Sequence, residues 1–156
     1  MLAMVGAAYG QLPVSIGVKA GGVWNELTVG SLQSRIFPLK AGPYVEVSLP
    51  FLPTIETGLM FERFTALGEA NAVYQVPVLV KKRFNAVAVK PFLAGGATIR
   101  IVPGRSEKSG GATVAAGVTI GLLPVKIEPE FRYTRWVGTT SVPRAGQVEF
   151  LVGLRF

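Results

Sequence analysis

The last ten residues, Gln147–Phe156, read QVEFLVGLRF. Successive side chains of an extended chain point to opposite faces. Val148, Phe150, Val152, Leu154 and Phe156 therefore share one side, and Gln147, Glu149, Leu151, Gly153 and Arg155 the other. The first side is apolar throughout and ends on an aromatic. The second carries a glutamate, an arginine and a glycine. The fold turns on which of the two sides faces inward, and on how often the pattern recurs.

Seven earlier runs repeat it, and the dominant period of the chain is two rather than 3.6. In LPVSIGVKAGG, Val14, Ile16, Val18 and Ala20 oppose Ser15, Gly17 and Lys19. In PYVEVSLP, Val45, Val47 and Leu49 oppose Tyr44, Glu46 and Ser48. TIETGLMFERF sets Ile55, Thr57, Leu59 and Phe61 against Glu56, Gly58, Met60 and Glu62. VYQVPVLVKKRF sets Tyr74, Val76, Val78, Val80 and Phe84 against Gln75, Pro77, Leu79, Lys81 and Arg83. VKPFLAGGATIRI, GATVAAGVTIGL and VKIEPEFRYTRW continue in the same way, with Lys90, Arg100, Lys126, Glu128, Glu130 and Arg132 on the small and polar side.

The runs are about 8–13 residues long. That exceeds the roughly 5–6 residues of an ordinary globular strand and suits the roughly 9–11 tilted residues that cross a bilayer. Pro77, Pro91 and Pro129 fall inside runs; each removes a ladder donor and predicts a bulge or a strand end. Long connections cover about 24–40, 65–71, 102–110 and 137–145, and short ones lie near 50–53, 85–88 and 122–124. Four long loops alternating with three short turns predict an all-β, eight-stranded antiparallel up-and-down transmembrane β-barrel, with both termini on the short-turn side.

Composition narrows the chemistry. The chain has 156 residues, 49% hydrophobic and 16% charged, with 19 Gly and 11 Pro. Its mean hydropathy is +0.43, yet no stretch approaches the 18 apolar residues of a membrane helix. Cys, His and Asp do not occur. Disulfides, thiolate or imidazole metal sites and a Ser–His–Asp triad are thereby excluded, and no cofactor, metal or catalytic residue is expected. The net charge of +7 comes from scattered cations, Lys81-Lys82-Arg83 being the only run, so nucleic acid is not an expected partner.

A soluble carrier barrel of the lipocalin type would turn the apolar side inward, and a membrane barrel would turn it outward. Three features favour the membrane. The apolar side is broken only by Arg63, Lys82 and Arg135, near run ends where long side chains snorkel to the interface. The other side is rich in Gly, Ala, Ser and Thr, as the narrow interior of an eight-stranded barrel requires. It also concentrates both signs of charge: Glu46, Glu56, Glu62, Glu128, Glu130 and Glu149 with Lys19, Lys81, Arg83, Lys90, Arg100, Lys126, Arg132 and Arg155. Buried charges need partners, so these residues are expected to form a lumen network. Trp24, Phe64, Tyr74 and Trp136 near the long loops, and Phe51, Phe84 and Phe156 at the other end, are expected to form two interfacial girdles. The loop cations Arg35, Lys40, Arg105, Lys108 and Arg144 are read as solvated, or else as facing anionic headgroups or glycans.

At the N-terminus, MLAMVGAAYGQ is apolar and ends in small residues. Residues 1–11 read as the remnant of a secretory leader, or as a disordered terminus, ahead of a barrel over 12–156.

The segments GVKAGG, GPYVEVSLP, IETGLMFERF, YQVPVLVKKRF, VKPFLAGGATIR, IEPEFRYTRW and QVEFLVGLRF together resemble the small porin-like outer-membrane β-barrel family of Gram-negative-type bacteria, the group related to OmpX and the OmpA transmembrane domain. The resemblance spans the chain after about residue 11. It implies residence in the bacterial outer membrane, with the termini on the periplasmic side. It implies contact with outer-membrane lipid and lipopolysaccharide. It also implies insertion by the barrel assembly machinery, which reads a final strand ending in an aromatic, here Phe156 with Phe150, Val152 and Leu154 behind it. The connection at 65–71 is too short for the large extracellular platforms of adhesin-like relatives. The expected function is that of a non-enzymatic, monomeric membrane barrel with a structural or surface-interaction role. The alternatives are a narrow conduit for small solutes and the soluble carrier.

Overall fold

The computed structural model describes residues 14–25, 38–49, 51–66, 69–86, 89–104, 108–122, 124–137 and 146–156, by backbone alone at 25, 64–66 and 69–71. The leader segment 1–11 and the loop cations Arg35, Arg105 and Arg144 lie outside these residues.

Every regular element among the described residues is a strand: β1 (Val14–Asn25), β2 (Leu39–Val47), β3 (Thr54–Gly58), β4 (Met60–Ala66), β5 (Glu69–Arg83), β6 (Val89–Ile101), β7 (Lys108–Leu122), β8 (Val125–Trp136) and β9 (Gly146–Arg155). Each pairs antiparallel with its neighbours. β1 pairs with both β2 and β9, with Val14 opposite Val47 on one side and Gly17 opposite Arg155 on the other. The sheet is therefore closed. β3 and β4 are two halves of one stave, because both lie between β2 and β5 in a single register. The result is an eight-stranded antiparallel barrel without a free edge, which removes the usual liability of an exposed strand.

Proline explains why that stave is split. Tyr44 faces Gly58 and Ala41 faces Phe61, which sets Pro43 opposite Leu59. The Leu59 N–H donates to the Pro43 carbonyl at 3.1 Å, but Pro43 has no N–H to return. On the other side Thr57 faces Val78, which sets Pro77 opposite Gly58. Pro129 opens a similar gap: the β7–β8 ladder runs to Gly117–Glu130 and resumes at Ile120–Ile127. Registers continue unbroken past these sites, so the expected bulges are absent there. A missing donor costs a rung without displacing the chain.

Strand boundaries differ from the sequence expectation mainly on the long-loop side. β2 begins at Leu39, β5 at Glu69 and β7 at Lys108, each inside a stretch read as loop. Alternation is weak in those stretches, whereas the ladder continues as long as a neighbouring strand offers partners.

Candidate functional site in the barrel lumen

Alternation places the charges inside. Lys19 and Lys81 are 1% exposed and Glu46, Glu128 and Glu149 are 0% exposed, whereas Ile16, Val114 and Phe131 on the outer face are 59%, 58% and 61% exposed. This is the reverse of a soluble barrel, in which the apolar face is interior. The carrier reading required that apolar interior and is set aside.

The buried charges form one connected network and one smaller cluster. In the half nearer the short turns, Glu46 accepts from Lys81 at 2.6 Å, from Arg83 at 2.6 Å and from Arg155. Glu128 faces the same three cations, at 3.3 Å, 3.0 Å and 3.4 Å, and also accepts the Thr119 hydroxyl at 2.8 Å. Lys81 reaches deeper to Glu56 at 2.5 Å. At mid-height Glu56 meets Lys19 and Arg132, and Glu130 meets Lys19 at 3.0 Å and Arg132 at 2.5 Å. Five cations and four carboxylates, drawn from six staves, are thus linked without a break.

Towards the long loops, the Lys40 ammonium donates to Glu149 and Gln75, both at 2.7 Å, and Gln75 donates to Glu62 at 2.8 Å. Gln147 donates to Glu149 and accepts from Arg100 and from the Trp136 indole at 2.9 Å. The Arg100 guanidinium lies 3.9 Å from the Trp136 ring centroid. The hydroxyls of Thr98, Thr113 and Thr134 form a chain with spacings of 2.7 and 2.9 Å.

Two aromatic rings fill the middle, each seated over glycine. A Cβ on Gly17 would fall 2.6 Å from the Tyr44 ring, and one on Gly117 would fall 2.6 Å from the Phe92 ring. Lys19 lies over the Tyr44 ring at 4.5 Å and Lys81 over the Phe92 ring at 4.3 Å. The favourable cation–ring geometry and the ion pairs hold the same ammonium groups from two sides. Leu79, Leu151 and Met60 are also buried in the interior.

The closed barrel that holds these residues is a fold that known structures share. Neisserial surface protein A superposes with a TM-score of 0.76 at 16% identity, covering 91% of this chain and 95% of that one. The fold is that of the small eight-stranded outer-membrane β-barrels. The N-terminal β-barrel domain of Pseudomonas aeruginosa OprF superposes at 0.53 with 13% identity, over 91% and 97% of the two chains. Ail, the attachment invasion locus protein of Yersinia pestis, gives 0.51 with 17% identity, over 92% and 96%. No protein-family model and no curated protein matches the sequence. At these identities the likeness is one of fold.

Several residues stand elsewhere than the sequence suggested. Lys90 and Lys126 have inward parity but are exposed, because they sit at the ends of β6 and β8, where the lumen opens. Lys40, read as a loop cation, is a buried lumen residue in β2. Lys108 opens β7 and is exposed. Trp136, assigned to a girdle, points inward with 3% exposure, since β8 keeps its alternation to its last residue. Trp24, Phe51, Phe84 and Phe156 are exposed, and Tyr74 stacks with Phe61 at 5.5 Å. The side chain of Phe64 lies outside the described residues. Tyr44, Gln75, Phe92 and Gln147 were not foreseen as partners, although parity alone puts them on the charged side.

Proposed function

We propose that the protein is an integral outer-membrane β-barrel without enzymatic activity, with a structural or surface-interaction role and its termini towards the periplasm. One observation carries this reading: apolar side chains cover the outside of a closed sheet whose inside is charged. An exposed belt of this kind is stable only against lipid. The interior argues for a plug rather than a conduit. An eight-stranded barrel is just wide enough for its own side chains, and Tyr44, Phe92, Leu79 and Leu151 occupy the space between the ion pairs. The outward cations Arg63, Lys108 and Arg135 sit near the long-loop rim, where lipid phosphate or lipopolysaccharide would meet them.

Refolding into detergent micelles tests the reading. The folded protein should run faster on an unboiled gel than after boiling, and should aggregate when detergent is removed. A protein that stays monomeric in plain buffer would refute it. In planar bilayers the wild type should show no steady conductance.

A further inference from the structure

Charge is not evenly distributed along the lumen. The connected network holds Lys19, Lys81, Arg83, Arg132 and Arg155 against Glu46, Glu56, Glu128 and Glu130, one positive charge in excess. Lys90 and Lys126, exposed at the short-turn mouth, raise the excess to three. The short-turn connections bring no acidic side chain to offset it. The connections SLPFLP (48–53), FNAVAV (84–89) and GLLPV (121–125) contain none, and neither do residues 1–13. The three remaining acids, Glu26, Glu69 and Glu107, adjoin in sequence the opposite ends of the strands, where β1 ends at Asn25, β5 begins at Glu69 and β7 begins at Lys108.

The register places these cations together. Lys126 stands directly opposite Arg155 on β9, a like-charge pairing that destabilises a sheet. Lys90 stands opposite Thr119 on β7. The Thr119 hydroxyl donates to Glu128 at 2.8 Å and accepts from the Arg83 Nε at 3.4 Å. Arg155 is 7% exposed and keeps an Nε–H that no acceptor meets. Four staves thus bring Arg83, Lys90, Lys126 and Arg155 to one opening with low-dielectric walls, the geometry that concentrates anions.

We propose that the short-turn mouth binds a multivalent phosphate-type oxyanion, with Lys90 and Lys126 at the entrance and Arg83 and Arg155 beneath. The Lys90 and Lys126 ammonium groups and the unmet Arg155 Nε–H match the oxygens of such a ligand, while the other guanidinium nitrogens of Arg83 and Arg155 stay on Glu46, Glu128, Thr54 and Thr119. A free phosphate compound and a phospholipid headgroup both offer this chemistry.

The test is titration with inorganic pyrophosphate, followed by calorimetry, on the full chain in phosphatidylcholine nanodiscs and in discs containing phosphatidylglycerol. Saturable binding in the phosphatidylcholine discs is expected. The Lys90→Gln/Lys126→Gln double variant removes two ammonium groups and should weaken it by about tenfold or more, which the loss of a single charge-assisted hydrogen bond would already give. Lys82→Gln serves as the control, because Lys82 lies at the same end but on the outer face, 5.9 Å from the Phe84 ring; it should change affinity less than about twofold, as a rim charge does. Unchanged heat-modifiable mobility verifies the fold of each variant. Compared at one raised salt concentration that screens the repulsion of pyrophosphate by the anionic bilayer, weaker binding in the phosphatidylglycerol discs would identify a headgroup site, and equal binding a site for free oxyanions. Absence of saturable binding in the phosphatidylcholine discs, or an equal loss in Lys82→Gln, would overturn the proposal.

Discussion

Replacing Glu56 with glutamine probes the centre of the network with almost no change of shape. The Glu56 carboxylate is 1% exposed and meets Lys19, Lys81 and Arg132. The amide of Glu56→Gln removes the negative charge and turns donor hydrogens towards groups that also donate. Breaking a buried ion pair from one side costs about 3–5 kcal/mol, because the partner is left charged and uncompensated. Glu130 still serves Lys19 and Arg132, and Glu46 and Glu128 still serve Lys81, so the lower end applies. A loss of about 3 kcal/mol is roughly a 150-fold fall in the folding equilibrium. Urea unfolding of the protein in lipid vesicles, followed by tryptophan fluorescence, measures it. Adding Lys19→Met should recover part of the loss, since removing both partners is far less costly than removing one. A loss below about 1 kcal/mol, or simple additivity in the double variant, would refute the idea that these charges depend on one another.

Gly117→Ala should destabilise by about 1–3 kcal/mol through overpacking, as its Cβ would meet both the Pro129 carbonyl and the Phe92 ring; Gly22→Ala, which meets nothing within 4 Å, is the neutral comparison in the same unfolding assay. Val114→Lys should cost about 2–4 kcal/mol in vesicles if the outer face of β7 lies at mid-bilayer, and a negligible change would contradict lipid exposure there. Phe156→Glu should reduce insertion in cells far more than it reduces the stability of refolded protein; equal losses would argue against Phe156 as an assembly signal.

The alternation made the barrel legible because a two-residue period survives even where a strand is interrupted. Leu59 and Val118 show this: the ladder opens beside them, but parity on either side is unchanged. Parity sorted the residues onto two faces, and the small residues and paired charges of one face marked it as the lumen. Parity could not place a residue along the barrel axis, which is why Lys90 and Lys126 were read with the buried charges. Nor could it set strand ends where turn chemistry is weak, so Lys40 read as loop; Trp136 read as interface from its place beside a long loop, although its parity points inward. The pairings themselves were not legible, because partners such as Lys40 and Glu149 are 109 residues apart and meet only when the sheet closes.

That separation bears on assembly. β2 brings Glu46 and Lys40, and the groups that neutralise them include Arg155 and Glu149 on β9. Until the final strand arrives, a partly built sheet holds ionised side chains facing a gap, and moving an unpaired charge into hydrocarbon costs several kcal/mol. Stepwise entry of single hairpins into the bilayer is therefore opposed by their own polar faces. Closure of the cylinder and passage into lipid become a single cooperative event, timed by the arrival of β9 against β1.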